Sequence, residues 1–150
     1  MRALVCPGQG SQKKSFLSPW LEIDGVREHL QRLSDAAGID LIHYGTEAEE
    51  ETIKDTAIAQ PLIVAAGIVT GRKVLQKLGE SKLILAGHSV GEITAAALAG
   101  VLTEEDAMRF VRVLATGMAQ AAAASPTGMA AVLGGVEQDV RQAIDEAALV

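Results

Sequence analysis

Ser89 stands between two glycines in Gly87-His88-Ser89-Val90-Gly91, with an apolar run from Lys82 to Ala86 before it and an alanine-rich segment to Gly100 after it. A strand, a glycine-flanked serine and then a helix form the context in which a sharp turn lifts the hydroxyl to the edge of a sheet. Small residues are needed on both sides because such a turn brings backbone against backbone. The following helix aims free amides and its positive end at any oxyanion formed there. The chemistry this favours is nucleophilic catalysis through a serine ester. A loop in which the glycines merely permit a turn is the competing reading, and the strand and helix on either side weigh against it.

A second glycine-rich segment, Pro7-Gly8-Gln9-Gly10, closes the apolar run Ala3 to Cys6 and fits a loop leaving a buried strand. Lys13 occupies the place of the third glycine of a dinucleotide loop, and no Gly-Lys-Ser/Thr follows, so nucleotide binding is poorly supported. Cys6 reads as a small core filler rather than a nucleophile, and a single cysteine excludes an internal disulfide and suits a reducing compartment. His29 and His43 read as surface or packing residues, and His88, next in sequence to the nucleophile, should point away from it.

The elements that position these residues alternate. Asp24 to Ala37 reads as a helix with Val26, Leu30 and Leu33 on one face and Gly38 as its C-terminal cap. The acidic run Ala48 to Glu51 reads as solvated helix-start residues. Thr56 to Leu78 has helical apolar spacing and stops at Gly79, ahead of the strand that leads to Ser89. Thr103 and Asp106 form a capping pair for a helix running to about Ala123, on which Phe110, Leu114, Met118 and Ala121 share a face read as core-facing. After Ser125-Pro126-Thr127-Gly128, a strand over Met129 to Leu133 and a helix over Glu137 to Ala148 are expected. Alternating strands and helices imply an α/β fold with a largely parallel sheet covered by helices.

The 150 residues suit one domain, with 49% hydrophobic and 21% charged residues, an ordinary globular composition. Aromatics are only 3%, so aliphatic side chains must fill the core. A formal charge of −6 leaves no basic stripe for phosphates and excludes nucleic acid as an expected partner. The compact basic pairs are Lys13-Lys14 and Arg72-Lys73, candidates for docking an acidic partner but more ordinarily solvated surface. No signal peptide or membrane span is read, so a cytoplasmic location and no membrane partner are expected.

The segment Gly87 to Gly100 resembles the nucleophile segment of the malonyl-CoA:acyl carrier protein transacylase family, and Pro7-Gly8-Gln9-Gly10-Ser11-Gln12 resembles that family's N-terminal loop. Asp55 to Pro61 and Pro126 to Gly134 resemble two further family blocks in the same order, covering the whole chain but roughly the first half of a family domain. The resemblance implies a hydrolase-like large subdomain over residues 1–127 and the beginning of a ferredoxin-like subdomain over 128–150. It also implies transfer of an acyl group, malonyl by family default, from coenzyme A to the phosphopantetheine thiol of acyl carrier protein, in fatty-acid or polyketide synthesis. Acyl-CoA is then a substrate, with no permanently bound cofactor and no metal.

In the matching positions, Ser89 is the nucleophile, the backbone amides of Gln9 and Val90 hold the oxyanion, and Gln60, Leu114 and His88 are the expected lining of the acyl pocket. Gln60, preceding a proline, reads equally as a helix-boundary residue. The family's general base is a histidine in a downstream segment resembling Gly-Ala-Phe-His, which these residues do not contain. The arginine that clamps a malonyl carboxylate would fall at Leu114, with Ala115 where a glycine usually follows. Arg112 lies two positions away, about 200° round a helix, and cannot stand in for it without a shift in register. A hydrolase acting on acyl carrier protein and a non-catalytic docking fragment are the alternative functions.

Overall fold

A computed structural model describes residues 2–79, 82–124 and 132–147. Two strands, β1 (Arg2–Cys6) and β2 (Leu83–Gly87), pair in parallel with Cys6 opposite Gly87. The pairing places the ends of both strands, and therefore both glycine-rich loops, side by side. Leu4, Cys6 and Leu85 turn inward onto Leu75, Ala95 and Leu98, while Val5 and Ile84 remain exposed on the opposite face.

The helices are α1 (Val26–Ala37), α2 (Leu41–Thr46), α3 (Thr56–Leu78), α4 (Gly91–Leu98), α5 (Glu104–Ala124) and α6 (Glu137–Glu146). Gly38 caps α1 in the left-handed conformation at φ 66°, its N–H donating to the Ser34 carbonyl. Asp40 and Asp55 accept from backbone amides at the starts of α2 and α3, and Thr103 Oγ1 accepts from Asp106 N at 3.0 Å, as its spacing predicts. The acidic residues Glu49 to Glu51 are exposed in the turn before a 3-10 segment, Thr52–Lys54, rather than at the start of an α-helix.

The central helix is α3, buried from Ala59 through Ala66 and again at Ile68, Val69 and Gly71. By length and apolarity α3 could cross a membrane, contrary to the expectation that no segment approaches a span, yet its most apolar window is 61% buried within the fold. Glycines on α3 let α4 approach: a Cβ at Gly67 would lie 2.6 Å from Thr94 Cγ2, and one at Gly71 would lie 2.4 Å from Leu98 Cδ1. Pro61 sits inside α3 and has no amide for the carbonyl one turn earlier, that of Ala57. Arg112 Nη1 reaches across from α5 and donates to that carbonyl at 3.0 Å.

The expected core face of α5 is corrected. Ala107, Met108, Val111 and Ala115 are its buried residues, while Phe110, Leu114 and Met118 are 54%, 36% and 46% exposed and Ala121 is exposed. The helix carries two apolar stripes, and the one that packs on the core joins Met108 and Val111 to Ala107 and Ala115, whose small side chains permit close approach. Residues 125–131, with the expected subdomain boundary and most of the expected strand over Met129 to Leu133, lie outside the described residues. Val132 and Leu133 belong to no regular element.

Between α1, α3 and α5 lies a half-buried ionic cluster. Glu104 accepts from Arg72 Nε at 2.6 Å and pairs with His29 Nε2 at 2.5 Å, while Arg72 also donates to the Ala97 and Leu98 carbonyls at the end of α4. Burial alone would raise the Glu104 carboxyl, but hydrogen bonds and charge from Arg72 and His29 prevail and hold it below its ordinary value.

Candidate active site

Ser89 has φ 55°, in the left-handed region that non-glycine residues rarely adopt. Such a conformation costs about 1–3 kcal/mol and persists only where its surroundings over-determine it. Here they do. His88 N donates to the Cys6 carbonyl at 3.0 Å, extending the β1–β2 ladder up to the turn, and Gly91 N and Glu92 N bond back to the carbonyls of His88 and Ser89 at 3.0 and 2.9 Å. A Cβ on Gly87 would fall 2.2 Å from Glu92 N, and one on Gly91 would fall 2.3 Å from the Cys6 carbonyl oxygen. Both collisions are with backbone, so the two glycines are required by the turn rather than merely tolerated in it.

The loop after β1 packs directly on this turn. A Cβ on Gly8 would lie 2.9 Å from His88 Nδ1 and 3.4 Å from Ser89 Cβ. Ser89 is exposed at the carboxyl ends of two parallel strands, the edge at which open α/β sheets bind ligands. Among the described residues, neither Gln9 N–H nor Val90 N–H donates to any internal acceptor. The two amides assigned to the oxyanion are thus unengaged, on the segments that flank the hydroxyl.

The other candidates divide. Gln60 lies inside α3, which removes the helix-boundary reading, and is 2% exposed. Its Nε2 reaches Gln9 Oε1 at 3.3 Å and Met118 Sδ at 3.4 Å, while its own Oε1 has no partner. Gln60 and Gln9 are therefore brought together, with α5 alongside through Met118. Leu114 lies one helical turn before Met118 and is partly open rather than packed in the core. Arg112 is occupied at the Ala57 carbonyl. His88 is exposed and its ring lies against Gly8.

His29 is held by Glu104, and His43 is exposed beside Glu47 with Nδ1 at 3.4 Å, so neither is built as a base for Ser89. Cys6 is buried, and desolvation pushes its thiol upward, in keeping with a core role. In the two basic pairs, Lys14 bonds Glu49 at 2.7 Å, Arg72 is locked to Glu104 and Lys73 donates to the Asp24 carbonyl, while Lys13 is exposed. No cluster of potential metal ligands occurs among the described residues. Sequence reasoning missed Thr56, whose Oγ1 accepts from Gln9 Nε2 at 3.1 Å, and the contact of Met118 with Gln60. A bond spanning so much of the chain leaves no local pattern to find.

The acyl transferase domain model matches residues 3–150. The chain belongs to that family. It is 46% identical over 152 aligned positions to the malonyl CoA-acyl carrier protein transacylase of Mycobacterium tuberculosis, covering 100% of this chain and 50% of that relative. Against the Escherichia coli malonyl CoA-acyl carrier protein transacylase the identity is 33%, over 97% of this chain and 48% of the relative. A crystal structure of MCAT from Mycobacterium tuberculosis superposes with TM-score 0.91 at 46% identity, covering 100% of this chain and 50% of that one. A type II PKS acyl-carrier protein in complex with its malonyl-transacylase gives TM-score 0.80 at 32% identity, over 98% of this chain and 48% of that one. The chain spans about half the length of the relatives it matches. The likeness supports the α/β fold expected from the alternating elements.

Proposed function

We propose that this chain carries the nucleophile and oxyanion site of an acyltransferase acting between coenzyme A and acyl carrier protein in fatty-acid or polyketide synthesis. The observation that carries this reading is the left-handed Ser89, held at φ 55° between a parallel strand and a helix and beside two unengaged amides. Ser89 Oγ attacks the thioester carbonyl as its proton passes to a general base, the Gln9 and Val90 amides receive the oxyanion, and coenzyme A leaves as its thiol with that proton. The phosphopantetheine thiol of the carrier then attacks the serine ester and frees Ser89. One oxyanion donor is typically worth about 3–4 kcal/mol in the transition state.

Among the described residues, His29 is held by Glu104 and His43 lies exposed beside Glu47, so neither serves Ser89 as the base. We place it in the downstream Gly-Ala-Phe-His-like segment that the resemblance implies. Membership of the family and the transacylase names of the relatives support acyl-CoA and acyl carrier protein as partners. The relatives' names point to malonyl. Gln60, which bonds Gln9, and Met118, which Gln60 touches, carry no positive charge and point instead to a neutral acyl group, with Leu114 one turn from Met118 on α5.

The direct test is incubation of a chain extended to family length with acyl-CoA, followed by mapping of the adduct by mass spectrometry. An acyl group on Ser89 that disappears in Ser89→Ala is expected. Labelling that persists in Ser89→Ala would overturn the assignment.

A further inference from the structure

The Gln9 side chain is held at both ends. Its Oε1 accepts from Gln60 Nε2 at 3.3 Å, and its Nε2 donates to Thr56 Oγ1 at 3.1 Å. The rest of the loop is tied to the same region: Gln12 Nε2 donates to the Ile53 carbonyl, Gln12 Oε1 accepts from Gly10 N, and Ser11 Oγ donates to the Gly8 carbonyl. Gly10, next to Gln9, sits at φ 102° and adds no steric restraint of its own. A loop this rich in glycine has many backbone states, so side-chain anchors must choose among them.

We infer that Thr56 and Gln60 are positioning residues that clamp the Gln9 carboxamide and so fix the direction of the Gln9 backbone amide. This rests on the reading of Ser89 as nucleophile. Gln60 is otherwise a poor structural choice. It is almost fully buried, and its Oε1 lacks a partner, an arrangement an apolar residue of similar size would avoid. The polar group is kept where it costs stability, at the place where it grips the oxyanion loop. Thr56, in the first turn of α3, is only partly buried, so its substitution changes the clamp with little effect on packing.

The test compares Thr56→Val, Thr56→Ser and Gln60→Leu with the parent, each in a chain extended to family length so that the base is present. A fluorophosphonate reports the nucleophile directly: Ser89 Oγ bonds to phosphorus, fluoride leaves, the serine proton passes to solvent, and the phosphoryl oxygen occupies the oxyanion position. Thr56→Val and Gln60→Leu are expected to slow this labelling about tenfold or more, a part of what losing an oxyanion donor outright would cost. Thr56→Ser keeps the hydroxyl and should stay within about twofold. Gln60→Leu removes an orphaned acceptor and leaves Gln9 Oε1 to water, so its thermal midpoint should equal or exceed that of the parent. A purely structural role predicts the opposite.

The second readout needs no reaction. In a ¹⁵N–¹H spectrum, the backbone amide of Gln9 should move in Thr56→Val and Gln60→Leu and return in Thr56→Ser. If that resonance stays still, the clamp does not exist and the inference fails. It fails equally if the parent is labelled at Ser89 and both variants react as fast. A parent that takes no label at Ser89 would instead defeat the nucleophile reading, and the Gln9 resonance would still decide the clamp.

Discussion

Replacing Leu114 by arginine tests acyl choice at a position whose surroundings the fold defines. Met118, one turn later on the same face of α5, touches Gln60, and Gln60 holds Gln9, so this face of the helix borders the loop after β1. If the acyl group lies along this face, as proposed, a malonyl carboxylate would have a thioether, an isobutyl group and a carboxamide for neighbours, with Arg112 committed to Ala57. It lacks a charge-assisted hydrogen bond worth about 1.5–3 kcal/mol and is partly desolvated besides. A neutral acyl group lacks that requirement and gains about 0.8 kcal/mol for each methylene covered by Leu114. At 1.4 kcal/mol per decade, the preference for neutral over malonyl groups rises by about ten- to a hundredfold relative to a site with the arginine. Leu114 is 36% exposed, so solvent screening favours the lower end. The assay is kcat/KM for malonyl-CoA and acetyl-CoA on a chain extended to family length, with and without Leu114→Arg. Arginine is a good helix former and the site is partly open, so the variant should fold. Acetyl is expected to be used at least as well as malonyl, and the variant should shift the ratio toward malonyl by about tenfold. A malonyl advantage above about a hundredfold in the parent, or an unchanged ratio in the variant, would refute the reasoning.

Two further outcomes are expected. The 150-residue chain by itself should turn over acyl-CoA about 10²–10⁴-fold more slowly than a chain extended to family length, because positioned base catalysis is missing; comparable rates would reveal a base within these residues, with His88 the first to substitute. Glu104 has a folded-state pKa below its ordinary value of 4.5, so its contribution to stability is complete above that pH and is lost as pH falls through the folded value. Parent and Glu104→Gln should therefore differ at neutral pH by about 1–3 kcal/mol and converge below pH 4.5, followed by thermal melts; a gap independent of pH would refute the depression.

Local signals were legible wherever one residue type had one physical task. Gly38 and Gly79 mark the ends of α1 and α3, Thr103 marks the start of α5, and the glycines around Ser89 mark a turn that leaves no room for a Cβ. Helix α2 was missed because six residues are too few for a periodic pattern, although Asp40, whose side chain accepts from His43 N, is an N-terminal cap of the ordinary kind. The wrong face was chosen for α5 because Phe110, Leu114 and Met118 make the bulkier stripe, while the core takes Ala107, Met108, Val111 and Ala115. Periodicity reports which residues share a face, and close packing against α3 decides which face is buried. The contacts that matter most at the candidate site, Gln9 with Thr56 and Gln60 with Met118, join segments distant in sequence and become visible only in the fold.

Pro61 links backbone repair to the composition of the site. A proline in the second turn of a helix frees the carbonyl one turn earlier, and a buried carbonyl without a donor is costly. Arg112 meets that need by crossing from α5 to the Ala57 oxygen, which ties α5 to the first turn of α3. That tie is made on the stretch of α3 that also carries Thr56 and Gln60, so the helix seating Met118 against Gln60 is anchored next to the residues holding the Gln9 loop. Arg112 is thereby spent: withdrawing its guanidinium to meet a substrate carboxylate would orphan the Ala57 carbonyl again. On the proposed reading, a positive charge for an acidic acyl group would come from outside this face of α5, and substitution of Leu114 tests what the face itself accepts.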